Sequence, residues 1–152
     1  MATPNFHAVN KQQLDKIFSN IDKLDPIMRD KGIRKALKKA AKVIAVQAQE
    51  NVVNVSAFDT GTLKKSIRVS SSPTNEAFGE VSAGIRVKVS GKKSAYYWWM
   101  IENGHEVVHD GKRIGYEPAR PYLRPAITSK RESAKNVAVK VIKEELSKIN
   151  FK

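Results

Sequence analysis

Over residues 10–24, Leu14, Ile17, Phe18, Ile21 and Leu24 recur at spacings of three and four, which defines one face of a helix. Asp25 and Pro26 interrupt it, because the residue before a proline avoids the helical region. A second helix is predicted over residues 26–53. Its apolar stripe is Ile33, Leu37, Ala40, Ala41, Ile44 and Ala48, with Arg34, Lys35, Lys38, Lys39 and Lys42 largely on the other side. The alanines allow another layer to pack closely. The basic face reads either as solvated lysines or as a binding surface.

Residues 56–63 form a turn-rich break. Residues 66–70 then alternate polar and apolar, as a half-buried strand does. Residues 71–75, Ser-Ser-Pro-Thr-Asn, read as a turn or loop. Over residues 81–89, Val81, Ala83, Ile85, Val87 and Val89 alternate with Ser82, Gly84, Arg86 and Lys88, which predicts a second strand antiparallel to the first. The aromatic stretch SAYYWWMIE, residues 94–102, is read as a short helix capped by Ser94. Residues 105–117 are an excursion, and residues 117–121 an extended connection set by two prolines. A last amphipathic helix is predicted over residues 122–149, with Ile127, Ala134, Ala138, Val141, Ile142, Leu146 and Ile149 as its stripe. Lys130, Arg131, Lys135, Lys140 and Lys143 occupy the rest of its surface. This order predicts an α+β fold in which long amphipathic helices pack on a small, mainly antiparallel sheet. We expect a single domain over residues 1–152, with residues 1–9 a flexible arm.

Charge adds a constraint that periodicity does not. Twenty-eight Lys and Arg stand against fifteen Asp and Glu, a formal charge of +13. That excess favours anionic partners such as nucleic acid or acidic protein, unless it only keeps the surface solvated. The chain has no cysteine, which removes disulfides, thiol nucleophiles and thiolate metal sites. No apolar run approaches the ~20 residues a membrane helix needs, so no membrane contact is expected. Nor does the N-terminus show the basic-then-apolar order of a secretory leader.

One string raises a catalytic possibility. His105-Glu106-Val107-Val108-His109 fits H-E-x-x-H, in which a helix presents two histidines to one zinc and a glutamate as general base. The surroundings argue against a helix. Gly104 precedes the string, Val107 and Val108 are β-branched, and Asp110-Gly111 is a strong hairpin-turn signal. On a strand the two histidines would stand about 13 Å apart, too far to share a metal that sits ~2 Å from each ligand. No cofactor and no metal site is therefore expected, and a zinc peptidase is the least favoured reading. No phosphate-binding glycine loop and no Ser-His-Asp arrangement is present. Tyr96, Tyr97, Trp98 and Trp99 suit base stacking beside cations, or a core and interface role.

Three stretches, taken in order, carry a family resemblance. They are residues 59–67 (DTGTLKKSI) after a long helix, Tyr96-Tyr97 leading to Ile101-Glu102-Asn103-Gly104, and residues 119–127 (ARPYLRPAI) opening the last helix. Together, over residues 30–150, the chain resembles the tail-component family of long-tailed double-stranded DNA phages, which are neck or tail-completion proteins. The resemblance implies a structural, non-enzymatic virion protein made in the host cytoplasm and placed at the neck or tail. It also implies a hexameric ring of like subunits, contacts with head-closure, tail-completion or tail-tube proteins, and non-specific contact with DNA. Two departures stand out: His105 replaces the small residue usual after Glu-x-Gly, and the helix of residues 10–25 is an addition.

The motif residues are expected to build the domain: Thr60, Gly61, Leu63, Ser66, Tyr97, Glu102, Gly104, Arg120, Pro121, Leu123 and Pro125. Thr60-Gly61 should make the turn into the first strand, and Leu63 and Ile67 should fix the sheet to the helix. Glu102 should pair with Arg120 or Arg124. Pro121 or Pro125 suits the first turn of the last helix. His105, Val107, His109 and Arg113, in the variable hairpin of residues 105–117, are the candidates for subunit contact. The alternative function is a basic nucleic-acid-binding module.

Overall fold

The computed structural model describes residues 11–22, 26–55, 61–71, 83–89 and 95–148. Helix α1 (Lys11–Asp22) precedes the long α2 (Pro26–Val55), the short α3 (Thr62–Ser66) and two strands, β1 (Ile67–Ser71) and β2 (Ala83–Val87). A second short helix α4 (Trp98–Asn103), a hairpin of β3 (His105–His109) and β4 (Lys112–Glu117), and the long α5 (Leu123–Ser147) complete the order. The expected α+β class holds. The expected arm, Thr60, Val81, Ser94, Ile149 and most of the 71–75 loop lie outside the described residues.

Helices α2 and α5 run antiparallel and form the frame. Lys35, early in α2, meets Glu145, late in α5, at 2.7 Å. At the opposite end the Asn51 side-chain amide donates to the Tyr122 carbonyl at 3.0 Å. Of the stripe expected on α2, Ala41 and Ala48 are buried, while Ile33, Leu37, Ala40 and Ile44 are half-buried and Ala36, Ala45 and Val52 take the other buried positions. On α5 the expected Ala134 and Val141 are buried, and so is Ala126, while the expected Ile127 is 48% exposed. Small side chains win these positions because closely packed helices, with axes ~8–10 Å apart, leave little room at the contact.

The β1–β2 pair lies against α2, in antiparallel register from Ile67 opposite Val87 to Ser71 opposite Ala83. The Gln49 amide reinforces the junction by donating to the Ile67 carbonyl at 3.1 Å. Ala45, Ala48, Val52, Leu63, Ile67, Ala95, Tyr122 and Ala126 form the main core, joined by Val69, Ile85 and Val87. Ile17 of α1 and Val139 of α5 form a second, smaller cluster.

Two local expectations need correction. Residues 62–66 are a helix rather than part of a turn, and Ser66 ends that helix instead of starting the strand. The reason is that Leu63 and Ile67, four apart, must both enter the core, and one helical turn achieves this. Complete burial of each is worth about 1.5–3 kcal/mol. Second, the aromatic helix starts at Trp98, with Tyr97 at the N-cap and no side-chain cap. Buried Ala95 sets this start: its carbonyl accepts the Trp98 N–H, and its own N–H donates to the Lys88 carbonyl. The β3–β4 hairpin forms its own two-stranded sheet.

Candidate functional site

The segment from α4 through the hairpin to the start of α5 brings most of the motif residues together. Its centre is Glu102, only 4% exposed. One carboxylate oxygen accepts the backbone N–H groups of Tyr122 (2.8 Å) and Leu123 (2.9 Å). The other accepts the Arg124 N–H at 3.1 Å and its Nε at 3.3 Å. The expected pairing with Arg124 therefore exists, but the larger role is to cap a helix from another element. The first turn of a helix leaves its N–H groups without intrahelical partners, and negative charge is favourable there. Tyr122, at the N-cap of α5, offers no capping side chain. Pro125 sits in the first turn and has no N–H to satisfy.

The remaining motif side chains tie this junction down. Arg120 pairs with Glu117 at 2.8 Å, and its backbone N–H donates to the Ile101 carbonyl. Arg124 also reaches the Asn103 side chain at 2.7 Å. Pro121 is exposed in the connection before α5, and Leu123 packs on the core. Tyr97 packs on the core beside Trp98, while Tyr96 and Trp99 are 71% and 56% exposed. The aromatic stretch is thus split between core and surface. Gly61, with φ 81°, makes the left-handed step into α3.

Tyr122 is fully buried, and its hydroxyl has no hydrogen-bond partner among the described residues. Burial, then the nearby Glu102 and Tyr97, push its phenol above the ordinary tyrosine range. Gly104 turns the chain from α4 into the hairpin with φ 75° and ψ 166°. A Cβ there would lie 2.5 Å from the Tyr116 hydroxyl and 2.8 Å from both the Ala119 nitrogen and the Glu117 oxygen.

From that base the hairpin extends with little support from the rest of the chain, its two strands packing chiefly on each other. Asp110 (φ 49°) and Gly111 (φ 73°) make the turn, both left-handed as a type I′ turn requires. Glu106 lies opposite Tyr116 and Val108 opposite Arg113, with a bulge beside Val108. Glu106 and Arg113, on that common face, pair at 2.9 Å. Val108, Ile114 and Tyr116 are 58%, 64% and 56% exposed. His105 and Val107, of the four expected contact residues, are half-buried, whereas His109 and Arg113 are exposed. The H-E-x-x-H string is therefore an extended strand, with its two histidines at opposite ends of it. Among the described residues no group of three His, Asp or Glu side chains is placed to hold a metal.

A second surface was less visible in the sequence. Every exposed residue of α2 between positions 31 and 42 is a lysine: Lys31, Lys35, Lys38, Lys39 and Lys42. The same helix face continues through Val46 and Val53, which are 42% and 61% exposed. An open groove of about 570 Å³ lies along it, lined by Lys39, Lys42, Val43, Val46, Gln47 and Glu50 of α2 and by Lys130 of α5. The signal was an apolar repeat, Val43, Val46 and Val53, on the face already assigned to lysines.

Residues 15–104 match the family described as "Bacteriophage HK97-gp10, putative tail-component". The chain belongs to that family. The match takes in more than half of the chain, from within α1 to Gly104. It therefore holds the first two motif stretches, including Glu102, while the hairpin and α5 lie beyond it. Membership in the HK97-gp10-like family places the protein among phage tail components, a structural class. Among the described residues no helix is long and apolar enough to cross a membrane. Comparison with curated proteins and with solved structures gave no match.

Proposed function

We propose that the protein is a non-enzymatic component of the phage neck or tail, acting in head–tail joining or tail completion by assembling into a ring. Family membership supports the tail assignment. The observation that carries the assembly reading is the hairpin. It is clamped at its base by Gly104 and the Glu102 network, yet exposes Val108, Ile114 and Tyr116. A two-stranded hairpin is marginally stable alone in water, and an exposed apolar cluster beside charged residues is the usual mark of a protein contact. Joining then proceeds by shape-complementary docking between like subunits and with neighbouring virion proteins, steered by charge.

The test is to deplete the protein during phage growth and image the particles. Filled heads and separate, unjoined tails are expected; normal joined virions would defeat the proposal.

A second reading is favoured by one observation, the lysine row of α2. Four of those lysines, Lys31, Lys38, Lys39 and Lys42, have no ion pair among the described residues, so the row presents free positive charge. As a nucleic-acid-binding module the protein would hold short duplexes with an affinity that falls steeply with salt. Absence of binding at low salt removes this reading.

A further inference from the structure

We infer that the β3–β4 hairpin of one subunit seats in the α2 groove of the next, so that a single repeated contact covers exposed apolar positions on both faces. This rests on the ring reading and deepens it by naming the two faces and the occupant, a second copy of this protein.

Three observations converge. First, both surfaces are apolar and exposed: Val108, Ile114 and Tyr116 on the hairpin, and Val46 and Val53 on α2, with Ile127 exposed one turn before Lys130 on α5. The hairpin does not cover its own groove, since its strands pack chiefly on one another. Second, the signs are complementary. Copies of a chain carrying +13 repel unless their contact sets opposite charges together. Residues 105–117 carry three acids, Glu106, Asp110 and Glu117, against Lys112 and Arg113, whereas the exposed positions of α2 from 31 to 42 are all lysine. The acid at the hairpin tip, Asp110, has a side chain that is 89% exposed. The charged side chains lining the groove are Lys39, Lys42 and Lys130 with one acid, Glu50, so the groove is positive on balance.

Third, the reach suffices. Five strand residues extend ~17 Å, longer than the ~10 Å rise of the seven-residue step from Val46 to Val53 along α2. The apolar end of the hairpin therefore spans the apolar part of the helix face, and its tip reaches the lysines. Because the two faces differ, the contact is head-to-tail. A head-to-tail contact whose rotation closes produces a ring, where a self-complementary one stops at a dimer.

The absence of native cysteine makes the test direct. Val46 and Ile114 are both exposed, so Val46→Cys and Ile114→Cys leave the core untouched. The two single variants of the full chain are mixed and treated with a short bis-maleimide. A parallel variant, Ile114→Asp, is followed by light scattering and thermal melting. We expect crosslinked dimers between the two variants, a ladder of higher species from the doubly substituted chain, and at least a tenfold weaker association for Ile114→Asp with an unchanged melt. An oligomer that is indifferent to Ile114→Asp, or that links Ile114→Cys chains only to each other, overturns the inference and leaves the ring reading standing. A protein that stays monomeric at high concentration also overturns it, and the depletion experiment then decides the ring reading separately. If Lys39→Glu with Lys42→Glu abolishes binding of a short DNA duplex without changing association, the groove is a nucleic-acid site and the inference is wrong.

Discussion

Glu102 and Pro125 jointly settle the N-terminus of α5: the carboxylate accepts the N–H groups of Tyr122, Leu123 and Arg124, and the proline brings none to satisfy. The cap comes from α4, twenty residues upstream of the helix it closes. Tertiary packing therefore performs what a local Ser or Asp performs at most helix starts.

Removing it should be costly. Glu102→Ala strands the N–H groups it held, of which Tyr122's is buried, and loses the Arg124 contact. A lost cap costs ~0.5–2 kcal/mol and a stranded buried donor ~1–3 kcal/mol. We expect a destabilisation of about 3 kcal/mol by urea unfolding, and roughly half of that for Glu102→Gln, which keeps one acceptor oxygen. A loss under about 0.5 kcal/mol for Glu102→Ala would show that the cap is not load-carrying.

Gly61 and Gly104 both have positive φ, but they should respond differently to the same substitution. Among the described residues nothing lies within 4 Å of a Cβ at Gly61, so Gly61→Ala should cost only the left-handed penalty of ~1–2 kcal/mol. Gly104 lies at a φ and ψ that are nearly restricted to glycine, and its Cβ would collide with the backbone of residues 117 and 119. Gly104→Ala should therefore cost more than Gly61→Ala by about 2 kcal/mol or more in chemical unfolding, within the ~1–3 kcal/mol of backbone strain plus the clash. Equal costs would contradict the close approach.

The same residues explain what could be read in advance. The Asp110-Gly111 turn was legible because its two left-handed positions need those residue types. The β1–β2 pairing was legible because Ile67 and Val69 alternate against Ile85 and Val87. The cap was half-legible: Glu102's approach to Arg124 was expected, its backbone bonds were not, although a helix that starts without a capping side chain and has Pro125 in its first turn implies a donor set answered from elsewhere. The short helix at Leu63 was missed because five residues are too few for a periodic signal. The apolar part of the α2 face was missed because the stripe was assigned once per helix. A 30-residue helix touches α5 and the sheet on different arcs and still leaves Val46 and Val53 outside.

Tyr122 offers a stabilising substitution. Its ring fills the main core while its hydroxyl is buried with no partner among the described residues. Tyr122→Phe keeps the ring and removes a polar group that lost its hydration on folding. Such a change should be neutral or stabilising by up to about 1 kcal/mol, raising the melting temperature. A loss of 1 kcal/mol or more would mean that the hydroxyl has a partner in solution.

Glu145 sets the direction of one pH effect. Hydrogen bonds from Lys35 and Lys148, the first of them across the two long helices, hold its carboxyl down to about 2 from an ordinary 4.5. A carboxyl depressed by folding stabilises the fold above its unfolded value, and that contribution is lost as pH falls through the folded one. The Lys35–Glu145 link should therefore be intact at neutral pH and fade between pH 4.5 and about 2. The pair is on the surface, so the effect should be small and reduced by salt. Lys35→Gln should lower stability slightly at pH 7 and make the acid limb shallower over that window, measured as urea midpoints at low ionic strength. Parallel pH profiles for the two proteins would show that the tie between α2 and α5 does not depend on this pair.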